Sequence, residues 1–156
     1  MRTGRRLAVD VGKVRIGIAI CDSEAILSSP LAAVARLSSA SDTVASIAEL
    51  ADVHGVIEVY VGDPLSLSGK ETASTSDARL IASELSKAIA VPVRMIDERL
   101  TTVTATAKLR ASGVSAKDSK SIIDSASAVE ILETALSFEK SSGLAPGHLV
   151  SDSVGA

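Results

Sequence analysis

Four acidic residues occupy places where an aliphatic sequence least tolerates an uncompensated charge. Asp10 lies inside LAVDV, Asp97 and Glu98 follow directly on VPVRMI, and Asp124 lies within IIDSASAVEIL. An ionised carboxylate among such neighbours is costly unless something offsets its charge. A divalent cation with oxygen ligands does so. Hydrolysis of a phosphodiester with two such ions needs carboxylates from separate chain segments, holding the metals ~3.5–4 Å apart. Each acid taken singly has a plainer reading: Asp10 held by backbone amides, Asp97 and Glu98 paired to Arg99, Asp124 on a helix surface beside Ser121 and Ser125. Taken together they are better explained by one shared metal, with Asp97 or Glu98 supplying the middle ligand.

The glycines beside Asp10 offer a competing chemistry. Gly12-Lys13-Val14-Arg15-Ile16-Gly17 has the glycine spacing of a phosphate loop but lacks the Lys-Ser/Thr that follows in a Walker site. The run from Asp10 to Gly17 also resembles the phosphate hairpin of actin-like sugar kinases, which need two such domains where this chain holds one. Arg2, Arg5, Arg6, Lys13 and Arg15 crowd the same region. They read either as a solvated start with hairpin-edge charges or as a rim that contacts phosphates. His54, at a helix end, and His148 have no partners that would suggest a triad.

The elements that must position these residues are legible from hydrophobic periodicity. Arg6–Val11 and Val14–Cys21 read as two strands joined by a Gly12-Lys13 turn, and Ile26–Arg36 as a third, which Pro30 confines to an edge. A helix with an N-cap at Ser41 follows and stops at Gly55; Val56–Val61 is a buried strand ended by Gly62-Asp63-Pro64. A second helix spans about Glu71 to Ala90, and Val91–Ile96 is the next strand. Beyond it Val103–Ala111 reads as helical, and Ser115-Ala116-Lys117-Asp118 fits a capping box for a last helix reaching about Phe138. The chain is α/β: a mixed sheet with a three-strand antiparallel meander and helices on its faces. Ligands of such sheets sit beyond the carboxyl ends of the strands, which selects Asp10–Gly12, Gly62–Gly69 and Asp97–Thr102.

Composition narrows the function classes. The chain has 156 residues, a length typical of one domain, and its single Tyr and single Phe cannot build an aromatic RNA-binding sheet. Net charge is −3, so whole-molecule electrostatics does not mark a nucleic-acid binder. The lone Cys21 excludes an internal disulfide and a cysteine-cluster metal site. No signal peptide or membrane span is expected, which predicts a soluble, cytoplasmic protein. The domain is expected over residues 1–140, and the Ser- and Gly-rich stretch 141–156 is expected to be disordered.

LAVDVGKVRIGIAI, GDPLSLSG, VPVRMIDERLTT and IIDSASAVEIL, in this order over roughly Arg6–Phe138, resemble the YqgF (RuvX) family, Holliday-junction-resolvase-like nucleases of the ribonuclease H fold. The resemblance implies a Mg²⁺- or Mn²⁺-dependent nuclease that matures the 5′ end of precursor 16S ribosomal RNA. It implies Asp10, Glu98 and Asp124 as metal-binding, catalytic carboxylates. Gly12, Arg15 and Gly17 match the hairpin motif, Gly62, Pro64, Leu65 and Gly69 the middle loop, and Arg99, Thr101 and Thr102 the segment after the acids. Lys13, Arg15, Arg99, Thr101 and Thr102 are the expected nucleic-acid contacts.

This sequence departs from the family pattern at Asp63, where a neutral residue is more usual, and at Ser115–Ser121, which keeps only Lys117 and Lys120. The expected partner is precursor rRNA or branched DNA. Alternatives are a junction-resolving DNA nuclease and a non-catalytic RNA-binding ribosome assembly factor. Monomer and homodimer are both open.

Overall fold

In a computed structural model, residues 1–100 and 125–150 are described; Thr101, Thr102, Lys117, Lys120, Asp124 and the expected Ser115–Asp118 capping box lie outside them. Among the described residues a six-stranded sheet has the order β3-β2-β1-β4-β5-β6, with β1 Arg6–Val11, β2 Arg15–Cys21, β3 Ser28–Ala35, β4 Glu58–Asp63, β5 Val93–Asp97 and β6 His148–Leu149. β1 to β3 form the expected antiparallel meander, and β4 and β5 extend the sheet in parallel with β1. The Pro30-containing strand lies at the edge, as its missing N–H requires.

Helices α1 (Ala40–His54) and α2 (Ala73–Ala88) cover one face, and α3 (Ala126–Ser142) covers the other. The alternation of strand side chains decides which residue meets which helix. Leu7, Val9, Val59, Val61, Val93 and Met95 join Val44, Ile47, Ile81 and Leu85 under α1 and α2. Ala8, Ala19, Tyr60 and Ile96 join Ile131, Leu132 and Leu136 under α3. The alanines of the second set let α3 pack close to the sheet.

Two boundaries differ from the sequence reading. α1 is capped by Ser39, whose hydroxyl accepts the Asp42 N–H, and not by Ser41, because the helix has already begun at Ala40. The stretch expected to lack structure from residue 141 is structured as far as Val150. Ser141 and Ser142 finish α3, Gly143 turns the chain in a left-handed conformation, and His148 and Leu149 pair with Met95 and Arg94. Low hydrophobicity misleads here because β6 is held by backbone pairing along the otherwise open edge of β5. No helix among the described residues is long and apolar enough to cross a membrane.

Candidate active site

Asp10 has the same strand parity as Ala8, so it lies on the α3 face near the carboxyl end of β1, directly opposite buried Gly17 of β2. On β4 the equivalent position is Gly62, and beyond β5 it is Glu98, the first residue of a 3-10 turn over Glu98–Leu100. Gly62 is required by close approach. A Cβ there would come within 2.6 Å of Ile131 Cδ1 and 2.8 Å of Glu98 Oε2. The absent side chain therefore makes room both for α3 and for the Glu98 carboxylate.

The electrostatics of this corner are those of crowded, desolvated acids. Burial pushes the Asp10 carboxyl above its ordinary range. Glu98 is pushed up to about 7, first by burial and then by the negative charges of Asp10, Asp63 and Asp97. Among the described residues no ion pair reaches Asp10.

Asp97 is different, because it lies one residue earlier and points off the strand on the other side. Its carboxylate takes the Arg99 backbone N–H at 2.9 Å and the Arg99 guanidinium at 2.5 Å, and these bonds hold its pKa down. Of the two acids between which the residues alone left the choice open, Asp97 is committed to Arg99. Glu98 shares the Asp10 corner.

Asp63, the departure from the family pattern, is 7% exposed and faces α2. Arg79 of α2 grips both of its oxygens at 3.0 and 2.9 Å. Its charge is thereby answered on the opposite face of the sheet from Glu98.

The remaining expected residues are distributed around this corner. Gly12 turns the β1–β2 hairpin so tightly that a Cβ would strike the Arg15 carbonyl, and Lys13 and Arg15 are exposed on that hairpin. Gly69 has φ +85°, and a Cβ on it would lie 3.1 Å from Arg99 Nη1. Pro64 lines a cleft together with Glu98 and Arg99. Thr101, Thr102 and Asp124 lie outside the described residues.

The residue that follows Asp124 in the chain is Ser125, at the N-terminal end of α3, and it is anchored firmly. Its hydroxyl accepts the Ile18 N–H at 3.0 Å and donates to the Leu31 carbonyl at 2.7 Å. It does so where the β2–β3 register shifts between Ile16 and Ile18, which leaves the two strands' backbone groups in need of a partner. Ser125, Arg79 and Arg36, whose guanidinium reaches the Gly12 carbonyl at 3.1 Å and Asp77 at 2.8 Å, are the supporting residues that the sequence reading missed. Their partners are 16 to 107 positions away along the chain, beyond any local pattern.

The rim reading of the N-terminal arginines is also corrected for two of them. Arg6 is fully buried and pairs with Glu139 at 3.0 Å, while Arg2 joins Glu139 at 2.6 Å and Glu58 at 2.7 Å. Both lie toward the amino ends of β1 and β4, away from Asp10 and Glu98, and their charge is answered there by Glu58 and Glu139.

The donor set suits a hard divalent cation, since it offers desolvated carboxylate oxygens. Among the described residues no three acidic, histidine or cysteine side chains converge to hold one.

The model of the family RuvX, described as Holliday junction resolvase, matches residues 4–138. The chain belongs to the RuvX family. It is 46% identical over 155 residues to a RuvX relative from Leifsonia xyli subsp. xyli, covering 99% of both chains. It is 49% identical over 152 residues to one from Streptomyces avermitilis, covering 95% of both. Each of these relatives bears the name "Putative pre-16S rRNA nuclease". Among solved structures the RuvX chain is similar to Thermus thermophilus RuvC in complex with a Holliday junction substrate, with a TM-score of 0.59 at 16% identity over 92% of this chain and 98% of that one. The shared fold is the ribonuclease H-like one.

Proposed function

We propose that this chain is a metal-dependent nuclease that hydrolyses phosphodiester bonds at the 5′ end of precursor 16S rRNA, acting in the cytoplasm. The observation that carries the reading is the meeting of Asp10 and Glu98 on the α3 face, Asp10 raised in pKa by burial and Glu98 by burial and then by the negative charges of Asp10, Asp63 and Asp97. Perturbed acids of this kind, gathered at the carboxyl ends of sheet strands, are characteristic of functional sites. The names of the relatives support the substrate.

In this reading Asp10, Glu98 and Asp124 hold Mg²⁺ or Mn²⁺. A bound ion of this type supplies an activated water and stabilises charge at the scissile phosphate. The protein contributes the remainder. The desolvated carboxylates bind the cation as unprotonated oxygens, and Ser125 fixes the start of α3 one residue after Asp124. Arg99, positioned by Asp97, and the exposed Lys13 and Arg15 hold the strand through its phosphates, and Thr101 and Thr102 are assigned to the same task, without reading bases.

The test is cleavage of a 5′-extended 16S precursor by the protein with Mg²⁺ or Mn²⁺, beside Asp10→Asn and Glu98→Gln. Cleavage by the wild type alone, lost on chelation, is expected; equal activity of all three proteins would refute the reading. A four-way DNA junction in the same assay decides between RNA and the substrate class named in the family description. Binding of RNA without cleavage under either metal would assign the chain to the assembly factors.

A further inference from the structure

The loop after β4 is built as a wall beside Glu98. It closes on itself through Ser66 N–H to the Lys70 carbonyl at 3.0 Å and Gly69 N–H to the Ser66 carbonyl at 2.8 Å, and Thr75 of α2 ties it down by donating to the Pro64 carbonyl at 2.7 Å. Between this loop, the first turn of α2 and the Glu98–Arg99 turn lies an open cleft of about 460 Å³. Pro64 and Leu67 form an apolar side, Thr72 and Ser74 bring hydroxyls from the start of α2, and Glu98 and Arg99 border it. Leu67 is 92% exposed, at the tip of a loop that is otherwise fastened down. A leucine held in water by a hydrogen-bonded loop adds nothing to the core.

We infer that this cleft is a nucleotide subsite, holding one unpaired nucleotide of the RNA strand next to the scissile phosphate, with its base against Leu67 and Pro64. The inference rests on the nuclease reading above and goes beyond it by assigning residues that contact a base. Three observations favour this occupant. The cleft is bordered by Glu98, so a strand whose phosphate lies at the carboxylates has this cleft next to it. Its size falls at the lower end of the range for small-molecule sites, enough for a nucleotide and too small for a duplex. The guanidinium of Arg99 lies at its border, where a phosphate would come. Sequence-tolerant RNA binders generally stack bases on aromatic rings. This chain's single Tyr is buried under α3 and its single Phe lies on α3 itself, so an aliphatic wall must serve.

The test couples a protein change to a substrate change. Full-length protein and its Leu67→Ala and Leu67→Phe variants are titrated with a fluorescent oligoribonucleotide spanning the cleavage point, in Ca²⁺ to prevent turnover. A second strand has an abasic residue beside that point. Leu67 touches no core, so all three proteins keep their fold, which thermal melting verifies. Removing the base should weaken binding to the wild type about tenfold, the scale of one stacked base. Leu67→Ala should bind the intact strand about tenfold more weakly and be indifferent to the missing base, whereas Leu67→Phe should recover the intact strand. In turnover, Leu67→Ala should raise KM more than it lowers kcat. An undiminished abasic penalty in Leu67→Ala, at every position tried, would overturn the subsite. If the wild type binds but never cleaves, the nuclease reading fails while the abasic comparison still decides the subsite; if it binds no RNA, both fail.

Discussion

At Glu98 the demands of folding and of chemistry conflict. Its pKa is raised to about 7, so its charged form is disfavoured in the folded protein. An acid whose folded pKa lies above its unfolded value weakens the fold progressively as pH rises from the ordinary carboxylate range through the folded value. A cation that needs the unprotonated oxygens reverses that cost. Mn²⁺ affinity, followed by calorimetry, should rise with pH up to about 7 and level off above it. Affinity independent of pH between 5 and 7 would show that Glu98 is no ligand. In chelator at pH 8, Glu98→Gln should melt a few degrees higher than the wild type while being inactive. Asp97→Asn should behave differently, because it frees the Arg99 guanidinium: metal affinity is kept and RNA binding changes.

The scale of the element governs how the acids come to share a corner. β1, β4 and β5 each send a residue of the same parity toward α3, and only a glycine on the middle strand leaves room for both the helix and Glu98. Gly62→Ala should cost about 1–3 kcal/mol, as overpacking does, measured by urea unfolding. Its loss of cleavage should exceed its loss of stability, because the methyl strikes Glu98 directly. Ser125→Ala leaves the Ile18 N–H buried without its acceptor, at a cost of about 1–3 kcal/mol. Ser125→Thr keeps the oxygen and should retain metal affinity that Ser125→Ala loses. Equal Mn²⁺ binding by all three proteins would show that the anchor matters for stability alone.

Across the whole molecule, α3 links two poles of opposite character. Its first turn approaches the acidic corner, and its last carries Glu139 into a buried network with Arg2 and Arg6, while Glu58 there also takes Arg94 at 2.8 Å and the Tyr60 hydroxyl at 3.0 Å. The Arg2 hydrogen bonds hold Glu139 down to about 2. An acid depressed in the fold stabilises it above its unfolded pKa, and that contribution disappears as pH falls from there toward 2. Glu139→Ala strands the fully buried Arg6 and should cost about 3–5 kcal/mol at pH 7. The deficit should shrink between pH 4.5 and 2, as the wild type loses the same charge. A variant as stable as the wild type at neutral pH would show the network to be dispensable.

What the sequence determined by itself was everything that repeats locally. The two- and 3.6-residue periods placed β1 to β5, the two middle helices and the layering, and the order of four short motifs identified the family. Asp10 and Glu98 were legible because a charge inside or just beyond an apolar strand breaks its period. The tertiary structure alone decided what those charges meet. Arg2 and Arg6 look identical to Lys13 and Arg15 in a string of basic residues, yet Arg6 is fully buried and the two pair with Glu58 and Glu139, more than fifty and more than one hundred and thirty positions away. Asp63 reads as an extra charge at the site in sequence, but Arg79 of α2 grips it on the face of the sheet away from Glu98. β6 formed from a stretch with no apolar period, since backbone pairing needs a free edge and not a particular side chain. Charge compensation and edge pairing depend on distance in space, which a one-dimensional pattern does not contain.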